Sequence, residues 1–342
     1  MHRHNHNQKN PVFALTMGDP AGIGPQIALS ALSESNNRPY RVVVVGDLEV
    51  LQTCAARRGL SPVFKSVNDI RDADFTSVNV LDMGEINTSQ FTPGISQAAC
   101  GKAAYRYITK AISLAIDKKA DAVVTNPISK ESLKLAGIDY PGHTEIFADK
   151  TGCCDYSMVF LLDSVAVAHV TTHVSLRAAV ELVKKERVLK QIRLLNRSLK
   201  SLGIDPPRIA VGGLNPHAGE NGLFGDEEIT QINPAIEQAQ TEGINVSGPY
   251  PPDTVFNRAF KGEFNGVVAM LHDHGFTALK SRDFERGVNI TVGLPIIRTS
   301  VGHGTAFDKA WGKANASPPS WLSLTAAMDA AYRMTKTKAA DA

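Results

Sequence analysis

Two periodicities alternate along this chain. Val12 to Thr16 and Arg41 to Val45 are short, nearly unbroken apolar runs rich in β-branched residues, the pattern of strands buried on both faces. Val78 to Met83, Asp121 to Thr125, Arg208 to Gly212 and Gly266 to Leu271 repeat that pattern. Tyr156 to Leu162 and Ser164 to Thr171 read as neighbouring strands, a hairpin around Asp163. Between these runs the period lengthens. Ala103, Tyr107, Ile108, Ala111, Leu114 and Ala115 recur at helical spacing within Ser96 to Lys118. Leu48 to Arg58, Lys184 to Leu202 and Glu227 to Glu242 also read as helices, and a last one starts at Leu322 and runs to about Met334. Strand alternating with helix predicts an α/β fold with a doubly wound sheet. A chain of 342 residues has room for two domains.

Charge narrows the partners. The formal net charge is +2 and aromatics are 6% of residues, so no basic, aromatic-rich surface for nucleic acid is expected. No stretch approaches the ~18 apolar residues of a membrane span. The first ten residues, M-H-R-H-N-H-N-Q-K-N, are polar and lack an apolar core, which reads as a disordered leader and not a secretory signal. Cys54, Cys100, Cys153 and Cys154 form no C-x-x-C pair, so a reduced, cytoplasmic protein is expected.

Candidate chemistry gathers where strands stop. An open α/β sheet places its ligands at the carboxyl ends of its strands. His173 follows the run ending near Thr171, His217 follows Arg208 to Gly212, and His272 follows Gly266 to Leu271. Three imidazoles at three such ends point to one divalent metal site with open positions. Gly18 to Pro25, G-D-P-A-G-I-G-P, joins a strand to a helix and is an anion-friendly turn, yet it is neither a dinucleotide fingerprint nor a phosphate-binding P-loop. His143 and Thr144 stand at a helix start after Pro141-Gly142, a place suited to an oxyanion. Lys280 and Arg298 are isolated cations among apolar runs, and Asp253 projects from a Pro-rich loop.

The ordered set G-D-P-A-G-I-G-P, G-H-T-E, T-T-H, N-P-H-A-G-E, P-P-D-T-V-F, H-D-H-G, L-K, G-V-N-I-T-V-G-L-P-I-I-R-T-S and H-G-T-A resembles the 4-hydroxythreonine-4-phosphate dehydrogenase family of vitamin B6 biosynthesis and its close relatives, from about Val12 to the C-terminus. The resemblance implies an isocitrate/isopropylmalate dehydrogenase-like two-domain fold with a cleft between domains, in a homodimer with shared active sites. The first domain would comprise 11–140 with about 305–342, and the second about 141–304. It implies NAD- or NADP-dependent oxidation and decarboxylation of a small phosphorylated hydroxy acid, 4-phosphohydroxy-L-threonine being the type substrate, with one divalent ion (zinc, magnesium or cobalt). His173, His217 and His272 match the family's metal ligands. His143, Thr144, Lys280, Asn289 and Arg298 match its substrate positions. Asn289, Gly293, His303 and Asp308 fall where the cofactor is expected. Asp253, Asp273 and Lys280 are all open as the proton acceptor.

Two positions depart from the family pattern. H-D-H-G carries His274 where the family has Gln, and Gly302 replaces the Asp before His303. These changes bear on the substrate. Relatives of the family act on 4-phospho-D-threonate, on 4-phospho-D-erythronate, or on a terephthalate dihydrodiol. The F-D-x-A-W stretch at Asp308 leans toward the sugar acids, and S-V-G-H-G toward the dihydrodiol branch. Retention of His143, Thr144, Asn289 and Arg298 favours a phosphorylated acid. A non-catalytic relative that binds such an acid is the competing reading from another class; the complete histidine set favours an enzyme.

Overall fold

The computed structural model describes residues 10–34, 38–312 and 317–340, so residues 1–9 of the expected leader lie outside the described residues. Contacts divide the chain into two compact units, Met1–Gly152 with Pro295–Thr335, and Cys153–Leu294 with Lys336–Ala342. His143, Thr144, Arg298 and His303 belong to the first unit.

The first unit opens with β1 (Val12–Thr16), α1 (Gly24–Ser33), β2 (Arg41–Gly46), α2 (Leu48–Arg57), β3 (Phe64–Ser66), β4 (Val78–Asp82), α3 (Ala98–Ile116), β5 (Ala122–Thr125), α4 (Lys130–Leu135) and α5 (His143–Thr151). The chain then builds β6 (Ser157–Leu162), β7 (Val165–His169), α6 (Leu176–Leu182), α7 (Lys185–Ser201), β8 (Ile209–Gly212), α8 (Asn233–Thr241), β9 (Val246–Tyr250), α9 (Val255–Phe260), β10 (Gly266–Ala269), α10 (His272–Arg282) and β11 (Val288–Val292) of the second unit. It returns through β12 (Arg298–Val301) and ends in α11 (Leu322–Ala340), longer than the pattern of apolar positions indicated.

Within the first unit the strand order is β3-β4-β2-β1-β5-β12. Every neighbouring pair is parallel. Burial on both faces explains the continuous apolar runs: Phe13, Ala14, Leu15, Val43, Val44, Val45, Val123 and Val124 have no exposed surface. The second unit has the order β11-β6-β7-β10-β8-β9. There β11, β6 and β7 are antiparallel neighbours, and β7, β10, β8 and β9 run parallel. The β6–β7 hairpin turns at Asp163, which adopts a left-handed φ of 53°.

One face of the second unit's sheet packs Phe160, Val165, Val167, Ala210 and Val267 against Val255, Phe256, Phe276 and Leu279. Burying a side chain such as Phe276 stabilises the unit by about 1.5–3 kcal/mol. Phe276 and Leu279 are the anchors of α10, a helix otherwise made of polar and small residues. They fix the first turn of α10 at the carboxyl edge of the parallel strands.

Candidate functional site

The second unit carries the histidines. His173 lies in the loop after β7, His217 in the loop after β8, and His272 is the first residue of α10, three positions after β10. The rings of His173 and His272 stand 5.8 Å apart. Two imidazoles on one ion stand roughly 5–6 Å apart when each metal–nitrogen bond is about 2.1 Å. His272 Nδ1 lies 2.9 Å from Asp273 Oδ1, and His217 Nδ1 lies 3.2 Å from Glu220 Oε2. An Nδ1–H donated to a carboxylate leaves the lone pair on Nε2, the tautomer that binds a metal. The donors therefore fit a divalent ion in kind. Among the described residues, however, no three His, Cys, Asp or Glu groups converge within one chain. The structure pairs His173 with His272 and does not bring His217, whose side chain is 67% exposed, to that pair.

The loop bearing His217 is unusual in its backbone. His217, Ala218, Gly219, Glu220 and Asn221 all have left-handed φ, at 53°, 55°, 79°, 44° and 55°. Such a conformation costs a non-glycine residue about 1–2 kcal/mol. The buried Glu228 holds the loop's start, its carboxylate accepting from the Leu214 and Asn215 N–H groups at 2.8 Å each. A strained loop held by a buried acid is a common setting for a functional side chain.

His169, at the end of β7, went unnoticed in the sequence. Its ring is buried and stacks on Phe276 at 4.5 Å with a 7° interplanar angle. Burial, then the neighbouring His272 and His274, pushes its pKa down to about 3, so it is a neutral imidazole. A Cβ on Gly275 would sit 2.2 Å from His169 Nε2, so only glycine fits there. His169 thus wedges the first turn of α10 from below. His274 is half-buried, and burial lowers its pKa. Lys280 reaches back along α10, its Nζ 5.3 Å from the Phe276 ring. Asp273 is exposed, and Asp253 lies on an exposed turn ahead of α9. Asn289 is in β11, opposite Phe160. Gly293 has a φ of 96°, and a Cβ there would meet Asp155 O at 2.1 Å, so packing alone explains its glycine.

The first unit carries the buried cation, Arg298. Arg298 begins β12 beside β5, and α5 begins with His143 and Thr144. Arg298 is buried; its Nη2 donates to Thr125 Oγ1 at 3.0 Å and its Nη1 approaches Thr144 Oγ1 at 3.5 Å. Thr125 Oγ1 lies 3.4 Å from Thr299 O, so its own proton is directed away from the guanidinium. Burial brings the Arg298 pKa down to about 10, opposed by the Glu145 carboxylate, and the group remains a cation at neutral pH. Burial, then the Arg298 charge, holds His143 well below the usual histidine range, against a hydrogen bond to the Asn126 backbone. His143 Nε2 is closed off from solvent with no partner. A desolvated guanidinium with the Thr144 hydroxyl beside it makes a receptor for an oxyanion, and the neutral His143 Nε2 is an acceptor at its edge. Thr125 and Asn126 were missed in the sequence, although they end a buried strand as the histidines do. Asp19, in the Gly/Pro turn after β1, is also buried, and burial raises its carboxyl to about 6. His303 Nε2 is likewise buried without a partner, while Asp308 is exposed.

Comparison with known proteins adds an independent line. The family described as pyridoxal phosphate biosynthetic protein PdxA matches residues 38–331. A D-threonate 4-phosphate dehydrogenase of Pectobacterium atrosepticum is 46% identical over 307 residues, covering 89% of this chain and 94% of the relative. A solved 4-hydroxythreonine-4-phosphate dehydrogenase from Klebsiella pneumoniae is 42% identical, with a TM-score of 0.84 over 95% of this chain and 99% of that one. A terephthalate 1,2-cis-dihydrodiol dehydrogenase from Burkholderia xenovorans LB400 is 27% identical, with a TM-score of 0.63 over 96% and 99% of the two chains.

Proposed function

Because the chain belongs to the PdxA family, the pyridoxal phosphate biosynthetic proteins, and is therefore a dehydrogenase-type oxidoreductase, we propose that it oxidises the secondary alcohol of a four-carbon acid with a terminal phosphate, using NAD or NADP and a divalent ion, with decarboxylation following. We place D-threonate 4-phosphate first among the substrates, the compound in the name of the 46% identical relative. 4-Phosphohydroxy-L-threonine is the second reading, the compound in the name of the 42% identical solved structure. The observation that carries the reading is the Arg298 pocket. A buried guanidinium with the Thr144 hydroxyl beside it suits a compact, doubly charged phosphate group.

Arg298 and Thr144 bind the phosphate oxygens in this reading, with the neutral His143 Nε2 accepting from a substrate hydroxyl or a phosphate O–H. Thr125 holds the guanidinium in register for them. His272 and His173, with His217 from a second copy of the chain, would hold the ion, which supplies Lewis acidity at the substrate hydroxyl when bound. The nicotinamide supplies the hydride acceptor when bound. Asp273 and Glu220 orient the imidazoles of His272 and His217. His303 is assigned to the cofactor on its unpartnered Nε2. Lys280, on the helix that His272 begins, is assigned to the substrate carboxylate.

A substrate panel with NAD and with NADP tests this reading. D-threonate 4-phosphate, 4-phosphohydroxy-L-threonine, 4-phospho-D-erythronate and the terephthalate dihydrodiol are each assayed for reduced-cofactor formation with zinc, magnesium or cobalt. Turnover of the first and not the last is expected. Turnover of the dihydrodiol alone would overturn the phosphate assignment and make Gly302 and His274 the better guides.

A further inference from the structure

The amino-end edge of the first unit's sheet, opposite the strand ends just described, has its own cleft. Its volume is about 470 Å³ and its lining includes Arg41, Arg71, Lys118, Lys119, Phe75 and Asp121. Val12 and Arg41 begin β1 and β2, and Asp121 immediately precedes β5, which fixes the location. In the α/β architecture substrates bind at the other edge. The cleft therefore calls for an account separate from the reaction.

Its charge is one-sided. Four cations face one carboxylate, in a chain whose whole formal net charge is only +2. The Asp121 carboxylate already accepts the Val12 N–H at 2.8 Å. Among the described residues, none of the four cations forms an ion pair. The two arginines are held in place from behind. Arg41 Nη1 donates to the Arg71 and Ala73 carbonyls at 3.0 and 3.1 Å, and Arg71 Nη2 donates to the Lys118 carbonyl at 2.9 Å. Lacing loops together accounts for these N–H groups. It does not account for the unpaired Lys118 and Lys119 ammonium groups, nor for Phe75, whose ring is 43% exposed in the same cleft. Preorganised guanidinium groups with two ammonium groups beside them match a polyphosphate. An exposed ring among cations matches a heterocycle stacked on it. The volume falls within the roughly 300–1,000 Å³ typical of small-molecule sites.

We propose that this cleft binds a nucleoside polyphosphate, with its phosphates on Arg71, Lys118 and Lys119 and its base on Phe75. The site is a binding site only, at the end of the strands opposite the one where Thr125 meets the Arg298 guanidinium, and it does not depend on the identity of the substrate.

Calorimetric titration of the full-length protein decides it. ATP, inorganic tripolyphosphate and adenosine are titrated into the wild type, Phe75→Ala and a Lys118→Gln/Lys119→Gln double variant. Both lysines are exposed, so the double variant should fold, which an unchanged thermal midpoint checks. The expected results are saturable ATP binding at one site per chain, weaker tripolyphosphate binding, and no saturable binding of adenosine. The double variant should weaken ATP at least about fivefold, as expected when roughly 1 kcal/mol of charge–charge attraction is removed. Phe75→Ala should weaken ATP and leave tripolyphosphate unchanged. No saturable ATP binding overturns the proposal. So does equal ATP affinity in the wild type and the double variant, because the nucleotide then occupies another site. Equal affinity for ATP and tripolyphosphate, insensitive to Phe75→Ala, reduces the cleft to an anion site and overturns the nucleoside assignment. Unchanged turnover in both variants is expected, which separates this test from that of the reaction.

Discussion

Replacing His143 by Gln should remove a specific part of the protein's acid sensitivity. Burial and the Arg298 charge hold His143 neutral in the folded chain well below the usual histidine pKa. The unfolded chain protonates the same residue near pH 6.5. Its folded pKa is depressed, so the unfolded state binds the extra proton, and stability falls as pH drops below about 6.5. The loss grows toward about 1.4 kcal/mol per pH unit for one proton. Between pH 7.5 and 5.5 this single group should cost about 1.4 kcal/mol of stability. Gln has comparable reach and does not titrate. Urea unfolding of the wild type and His143→Gln at both pH values measures the difference directly. Other groups, such as Asp19 with its raised pKa and opposite sign, cancel in the comparison. The variant should lose about 1.4 kcal/mol less than the wild type over that interval. Equal losses in the two proteins would mean that His143 titrates normally and that the anion pocket is open to water.

Other expectations follow from the same geometry. Thr125→Val removes the acceptor of the 3.0 Å bond from Arg298 and should raise KM for the phosphorylated substrate about tenfold, with kcat nearly unchanged; Thr125→Ser should restore it, and a fall in kcat alone would contradict the positioning role. His217→Ala and His272→Ala should each be folded and inactive, while mixing the two after subunit exchange should recover about a quarter of wild-type activity if each site takes its histidines from two copies; no recovery in proven mixed dimers would return all three ligands to one chain. Gly275→Ala would drive a Cβ to within 2.2 Å of His169 Nε2 and should lower metal affinity by displacing His272, read by equilibrium dialysis with zinc; unchanged affinity would show that the first turn of α10 tolerates the shift.

The parallel strands of the first unit were legible because burial on both faces writes itself as runs such as Val42 to Val45. The strand ends carrying His173, His217 and His272 were legible for the same reason. The segment from Leu271 to Asp308 does not resolve into elements from its pattern of apolar positions. Helix α10 buries little beyond Gly275, Phe276 and Leu279, so its helical period is nearly silent, and β11 and β12 are separated by the Gly293 turn. Thr125 was invisible as a site residue because a threonine at a strand end is ordinary; only the Arg298 side chain arriving from β12, 173 positions away, gives its hydroxyl a role. His169 escaped because an imidazole inside an apolar strand leaves no motif, and its meaning rests on Gly275 and Phe276 packing over it.

The central claim is that Arg298 reads a substrate phosphate, and a ratio of two specificity constants tests it most directly. kcat/KM for D-threonate 4-phosphate and for unphosphorylated D-threonate is measured in the wild type and in Arg298→Gln, with NAD and the activating metal. Breaking a buried charge pair typically costs about 2–5 kcal/mol, a factor of roughly 30 or more. The account predicts that the variant loses at least that factor on the phosphorylated acid, with D-threonate turnover scarcely changed, so that the discrimination between them collapses. Equal losses on both acids, or a discrimination that survives the substitution, would contradict it.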